Sequence, residues 1–250
     1  MPEGSLRTDR GSDDVVVVTV DRQERRNAMD RAAWVELRDL VHALRDDERL
    51  RGVIVTGAGD KAFVAGADVE ELADRDPWVA LTGAVQRTLL ELEDLPVPTV
   101  AALNGDALGG GWELALACDL RVAAKHARVG LPEVGLGILP GAGGTQRLLQ
   151  HVGLGRAKEL VFTGRLLDAD DAAALGLVNV VVEDALGGAR RLMDEVLRQA
   201  PTSVRLAKTV LNATARQEAG ADLERLAYTL TFHTEDRGAR MRRFLERRRQ

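Results

Sequence analysis

Apolar positions along the chain fall into two kinds of run. Short β-branched stretches at 15–20, 51–56, 97–103 and 120–123 predict buried strands, with shorter ones at 128–130 and 177–182. Between them the spacing turns helical. Over 31–45, Trp34, Leu37, Val41 and Leu44 share one face, and Asp30 just ahead is a ready N-cap. A helical start follows at Asp68, and Pro77 is placed to open a helix running to about Asp94. Beyond Gly144 the pattern predicts helices at 145–151, 155–162 and 169–175, then from Asp184 onward, with Pro201 in a first turn and further helices at 221–232 and in the terminal MRRFLERRRQ. Repeated strand–turn–helix units predict an α/β architecture. Residues 1–14 carry no apolar run and read as a flexible leader; 15–195 form the core domain; strands cease after it, so 196–250 read as a C-terminal helical subdomain.

Two charges break the pattern. In NGDALGGGWELALACD (104–119) the only charge between Ala107 and Cys118 is Glu113, two positions after three glycines. In VGLPEVGLGILPGAGGTQ (129–146) the only charge is Glu133. Glycines beside a helix start bring bare N–H groups close to a bound oxygen, and the helix dipole adds positive potential there. Carboxylates in apolar surroundings have raised pKa values, which suits groups that give and take protons near neutral pH. Glycine clusters alone serve tight packing equally well. The two segments together with the loop KAFVAGAD (61–68) form a more specific constellation and are the candidate active site.

Composition narrows the chemistry further. The 250 residues, 45% hydrophobic and 29% charged with a net charge of −5, describe an ordinary globular protein with no demand for a polyanionic partner. The single cysteine, Cys118, excludes an internal disulfide or multi-cysteine zinc site, and its apolar setting reads as a buried, inert thiol. No uncharged apolar run approaches the roughly 20 residues of a membrane helix, so no membrane association and a cytoplasmic location are expected. None of Ser5, Ser12 and Ser203 lies in a G-x-S-x-G elbow, and His42, His126, His151 and His233 lack paired metal-ligand spacing, so no metal site is expected. GAGGTQR lacks the Gly-Lys-Ser/Thr ending of a phosphate loop, and no G-x-G-x-x-G follows a strand. What remains is acid–base chemistry by carboxylates assisted by backbone amides.

KAFVAGAD, AALNGDALGGGWELALACDLRVA and GLPEVGLGILPGAGGTQRL, in this order and spacing, resemble the signatures of the crotonase superfamily, the enoyl-CoA hydratases and isomerases. The resemblance runs from about Val15 to the C-terminus. It implies a crotonase-like spiral of ββα repeats with a C-terminal helical trimerisation region, assembled as a homotrimer or as a hexamer built of two trimers. It implies an enoyl-CoA hydratase acting on an acyl-CoA substrate, with no separate cofactor because coenzyme A is part of the substrate. By the same carry-over, the amides of Ala67 and Gly110 form an oxyanion hole, Glu113 is the base toward water, and Glu133 is the acid toward C2. Ala65, Gly66, Ala67, Asp68 and Val69 line the coenzyme A portion, joined by Arg25, Arg26 and Ala28 from an earlier loop. Gly109, Pro132 and Gly141 fall in the substrate-binding set, and Phe244 and Arg247 match a basic C-terminal helix that reaches the nucleotide. Three departures stand out: Arg22-Gln23 replaces Arg-Pro, which should loosen a turn; Asp106 replaces an aromatic, which could alter the acyl pocket; and Ala239-Arg240 replaces Glu-Gly. Sibling reactions are the alternatives, namely isomerisation, branched-chain enoyl-CoA hydration or thioester hydrolysis. An RNA-binding role, suggested by the arginine-rich end, is disfavoured by the negative net charge and by only eight aromatic residues.

Overall fold

The computed structural model describes residues 4–68, 71 and 83–216. Its main sheet has six strands in the order β1-β2-β3-β5-β7-β10, and a second has four in the order β4-β6-β8-β9. The first comprises β1 (Leu6–Arg10), β2 (Val15–Val20), β3 (Gly52–Gly57), β5 (Thr99–Leu103), β7 (Leu120–Ala124) and β10 (Val180–Val182). The second comprises β4 (Ala62–Val64), β6 (Asp106–Leu108), β8 (Arg128–Gly130) and β9 (Leu167–Asp168). Among the described residues only β1 with β2 and β8 with β9 pair antiparallel. The pairs β3/β4, β5/β6 and β7/β8 each place one strand in each sheet, so the chain advances as a spiral and β4, β6 and β8 arrive side by side. The segments that follow these three short strands are therefore neighbours.

The central strands β3 and β5 are buried along their whole length, as parallel strands covered on both faces must be. Helices α1 (Arg31–Arg45), α2 (Ala84–Glu93), α3 (Gly110–Ala117), α4 (Gly144–Thr163), α5 (Ala169–Ala174), α6 (Ala185–Leu197) and α7 (Pro201–Ala215) complete the described chain. Asp30 caps α1 by accepting the Ala33 amide at 2.8 Å. Helix α3 is buried all round from Gly111 to Ala117, so it forms part of the core rather than an amphipathic cover. Gly111 is required there: a β-carbon would collide with the Val64 carbonyl of β4. Cys118 is buried and its thiol is pushed up to about 12, chiefly by burial.

Several expectations need correction. Residues 6–10, read as part of a flexible leader, form the edge strand β1, in register from Leu6 opposite Val20 to Arg10 opposite Val16. Its polar sequence hides it, because its partners are the β2 backbone, the Glu36 carboxylate, which accepts the Ser5 and Leu6 amides at 2.8 and 3.2 Å, and Asp21, paired with Arg7 at 3.0 Å. Strands β4 and β6 lie where loop and turn were expected, each being only three residues long. Of the helix expected from Pro77 to about Asp94, the part from Ala84 is described as α2, preceded by Gly83 at φ +58°; residues 77–82 lie outside the described residues. The two helical stretches expected at 145–151 and 155–162 are both present within α4, separated by a break at Gly153, φ +73°. Of the C-terminal helical subdomain, α7 is described, tied to the core by Lys208, which donates to Asp119 Oδ2 at 2.8 Å and to the Val97 carbonyl at 2.9 Å. The helices expected at 221–232 and in the basic tail lie outside the described residues.

Candidate active site

The parallel pairing of β4 with β6 sets the segment 65–68 beside the start of α3. A β-carbon at Gly110 would stand 3.8 Å from the Ala67 nitrogen, and one at Gly66 would stand 4.0 Å from the Gly110 nitrogen, so these two amides are adjacent. Among the described residues neither N–H finds an acceptor, whereas the neighbouring Gly109 N–H is used by the Gly130 carbonyl at 2.9 Å. Gly110 opens α3, so its free amide also carries the positive end of that helix. Trp34 of α1 packs against the same point, with a ring carbon 3.5 Å from where a Gly110 β-carbon would sit.

Glu113 projects from the first turn of α3 and is only 3% exposed. Its Oε1 accepts the Ala142 amide at 2.7 Å and the Gly144 amide at 2.8 Å. Gly144 is the first residue of α4, so the carboxylate sits on a helix N-terminus, where an anion is stabilised. Burial raises the Glu113 carboxyl above its ordinary value; the Gly144 and Ala142 amides and the nearby Arg147 charge pull the other way. The pairing of β6 with β8 delivers Glu133, which begins a 3-10 turn (Glu133–Leu136), to the point just before α3. Its Oε1 lies 3.2 Å from the β-carbon position of Gly109. Its Oε2 is buried without a hydrogen-bond partner among the described residues. Burial, and secondarily the Glu113 charge, push the Glu133 carboxyl up to about 7. Two buried carboxyl groups, one bonded by two backbone amides and one disposed to keep its proton, thus flank a pair of unused amide donors. That arrangement can remove one proton, supply another and stabilise a developing oxyanion.

The loop bearing Arg25, Arg26 and Ala28 is zipped onto this segment: Ala65 N–H donates to the Arg26 carbonyl at 3.2 Å, Met29 N–H to Gly66 at 2.8 Å, and Asp68 N–H to Met29 at 3.3 Å. Arg25 and Arg26 are exposed beside it. The missing proline does not loosen this turn. Asn27 is buried and spans it, donating to the Ala58 and Ala62 carbonyls at 3.0 and 2.8 Å and accepting the Arg22 amide at 3.0 Å, while Arg22 bonds to the Ala28 carbonyl and pairs with Asp30. Asp106 is engaged by Arg128, Oδ2 to Nη2 at 2.6 Å, and so ties β6 to β8. Pro132 precedes the turn that carries Glu133, and Gly141 is exposed next to Ala142. Val69, Phe244, Arg247 and the Ala239-Arg240 departure lie outside the described residues. The sequence left Ala142, Gly144, Arg147 and Trp34 without a role at the site; the glycines before α4 were the available signal for the first two.

The pattern of the family described as "Enoyl-CoA hydratase/isomerase" matches residues 10–250. The chain is 40% identical over 240 residues to the short-chain-enoyl-CoA hydratase of Clostridium acetobutylicum, covering 94% of this chain and 92% of that one. It is equally 40% identical over 240 residues to the crotonyl-CoA hydratase of Syntrophomonas wolfei, with the same coverage of 94% and 92%. The crystal structure of an enoyl-CoA hydratase from Bacillus anthracis superposes with a TM-score of 0.91 at 38% identity, over 97% of this chain and 96% of that one.

Proposed function

This chain belongs to the enoyl-CoA hydratase/isomerase family and is an enzyme of the hydratase type, and we propose that it adds water across the α,β double bond of a trans-2-enoyl-CoA to give the 3-hydroxyacyl-CoA. The observation that carries this reading is the pairing of two buried glutamates in different states: Glu113, bonded by two amides, and Glu133, with an orphaned carboxyl oxygen. A buried oxygen without a donor is costly for an anion and much less so for a protonated acid.

The steps follow from that difference. The thioester carbonyl accepts hydrogen bonds from the Ala67 and Gly110 amides. Water lies between the two glutamates and attacks C3 as Glu113 takes its proton. The electron pair of the double bond moves toward the thioester oxygen, where the two amides stabilise the enolate; one such donor is worth about 3–4 kcal/mol in comparable sites. Glu133 then delivers its proton to C2, and solvent exchange returns both carboxyl groups to their starting states. Isomerisation needs only one carboxyl to move a single proton from one carbon to another, so the second glutamate favours hydration.

The coenzyme A portion lies, in this reading, along 65–69 with Arg25, Arg26 and Ala28 facing its phosphates, and Phe244 and Arg247 reach the nucleotide. Gly109, Pro132 and Gly141 border the acyl end. The reaction runs on carboxyl groups and amides, with coenzyme A entering only as substrate. The protein works in the cytoplasm as a homotrimer or a hexamer of two trimers, through a helical C-terminal region beginning near residue 196. A panel of enoyl-CoA thioesters of graded length and branching, followed by loss of the conjugated chromophore, tests the reaction and defines the substrate. Shift of the double bond without hydration would favour the isomerase reading, and release of free coenzyme A would favour the hydrolase.

A further inference from the structure

Arg147 lies in the first turn of α4 and is 6% exposed, yet no step above uses it. Its Nη1 donates to the Ala142 carbonyl at 3.0 Å, and the same residue's amide donates to Glu113 Oε1 at 2.7 Å. On the other side, its Nε and Nη2 meet Glu93 Oε2 of α2 at 2.8 and 2.6 Å. Glu93 Oε1 in turn receives Arg216, the residue that ends α7, at 3.0 Å. Arg216 also grips Asp94 through both carboxylate oxygens, at 3.1 and 2.8 Å. One bonded chain therefore runs Glu113–Ala142–Arg147–Glu93–Arg216. Gly143 makes room for it, since a β-carbon there would collide with Arg147 Nη1.

A buried arginine that forks between a carboxylate and a backbone carbonyl fixes the geometry of both. We propose that Arg147, held by Glu93, is a positioning residue for Glu113: it anchors Ala142 by its carbonyl, and Ala142 is the residue whose own amide grips that carboxylate. The proposal rests on the reading of Glu113 as the base toward water. The charged groups around Glu113 are Glu133 from the turn after β8, Arg147 from α4 and, through Arg147, Glu93 from α2 and Arg216 at the end of α7. Of these, Arg147 is the cation whose charge lowers the Glu113 pKa.

The sign of the effect is therefore set. Arg147→Met removes both fork and charge, so the base protonates more easily and the acidic limb of kcat/KM moves to higher pH. The plateau rate falls about 10²-fold, the scale of a small misplacement of a reacting group. Arg147→Lys keeps the charge without the fork, so the limb stays near its wild-type position while the plateau falls part-way. Glu93→Gln weakens the hold on Arg147 and also lowers the plateau. The experiment is the pH profile of enoyl-CoA hydration for these three variants, with Arg147→Met repeated in a Glu113→Gln background. In that background the Arg147 change should cost nothing further. If it cost the same factor as in the wild type, Arg147 would act independently of Glu113 and the proposal would fall, with the role of Glu113 intact. An unmoved acidic limb in Arg147→Met, with activity lost only in step with thermal stability, would also overturn it. Wild-type turnover by Glu113→Gln alone would instead reject the base assignment on which the proposal rests. If Arg147→Met does not fold, the Arg147→Lys and Glu93→Gln profiles decide, and two wild-type plateaus would contradict it.

Discussion

Glu133 Oε1 lies 3.2 Å from the point a Gly109 β-carbon would occupy, and Gly109 has φ +53° and ψ −124°, outside the range side-chain-bearing residues favour. Gly109→Ala would therefore both strain the backbone ahead of the Gly110 amide and push on the acid. The expected result is a fall in kcat of about 10- to 100-fold with smaller change in KM, measured by steady-state kinetics on a folded variant. Full activity in Gly109→Ala would mean that neither group is placed as finely as proposed.

Two structural levels were unequally legible in the sequence. The strands read at 15–20 and 97–103 stand out as continuous apolar runs, and helix α1 with its Asp30 cap because burial recurs on a helical period. Strand β1 does not, because an edge strand held by backbone pairing and surface carboxylates needs no apolar alternation. Glu113 and Glu133 were legible as lone charges in apolar, glycine-rich runs. The Ala142 and Gly144 amides that hold Glu113 were not, since a backbone donor leaves no mark on side-chain identity. Arg147 carries no such mark in the sequence, because its role depends on Glu93, 54 positions earlier in the chain.

The raised Glu133 carboxyl links activity and stability to pH in the same direction. As the proton donor it must be protonated, so kcat/KM should fall as pH rises through about 7. Between the ordinary 4.5 and about 7 the folded protein holds a proton that the unfolded chain has lost. This contribution to stability is fully present below the unfolded value and is lost as pH rises through the folded one. Glu133→Gln removes that linkage, so its melting temperature relative to wild type should improve from pH 5 to pH 8, by on the order of 5–10 °C. A pH-independent difference between the two proteins would argue against the raised carboxyl.

Gly110→Pro tests the oxyanion assignment. Proline is tolerated at a first helical position, so α3 should survive while the N–H is lost. The expected cost is about 10²–10³ in kcat, with little change in affinity for a saturated acyl-CoA measured by calorimetry. An unchanged kcat would place the oxyanion donors elsewhere.

Exhaustive dialysis against a chelator tests the proposed chemistry from another side. Activity should be retained in full, because every step is assigned to a carboxyl group or an amide. Activity lost on dialysis and restored by one divalent metal would require a different mechanism.

The most direct measurement is hydration of crotonyl-CoA by wild type, Glu113→Gln and Glu133→Gln, alongside binding of a saturated acyl-CoA to each. The two-carboxyl account predicts rapid hydration by the wild type and losses of about 10²–10⁴ in kcat for each variant with acyl-CoA binding nearly unchanged, since each amide keeps the shape but cannot transfer the proton. Near wild-type hydration by either variant would contradict it.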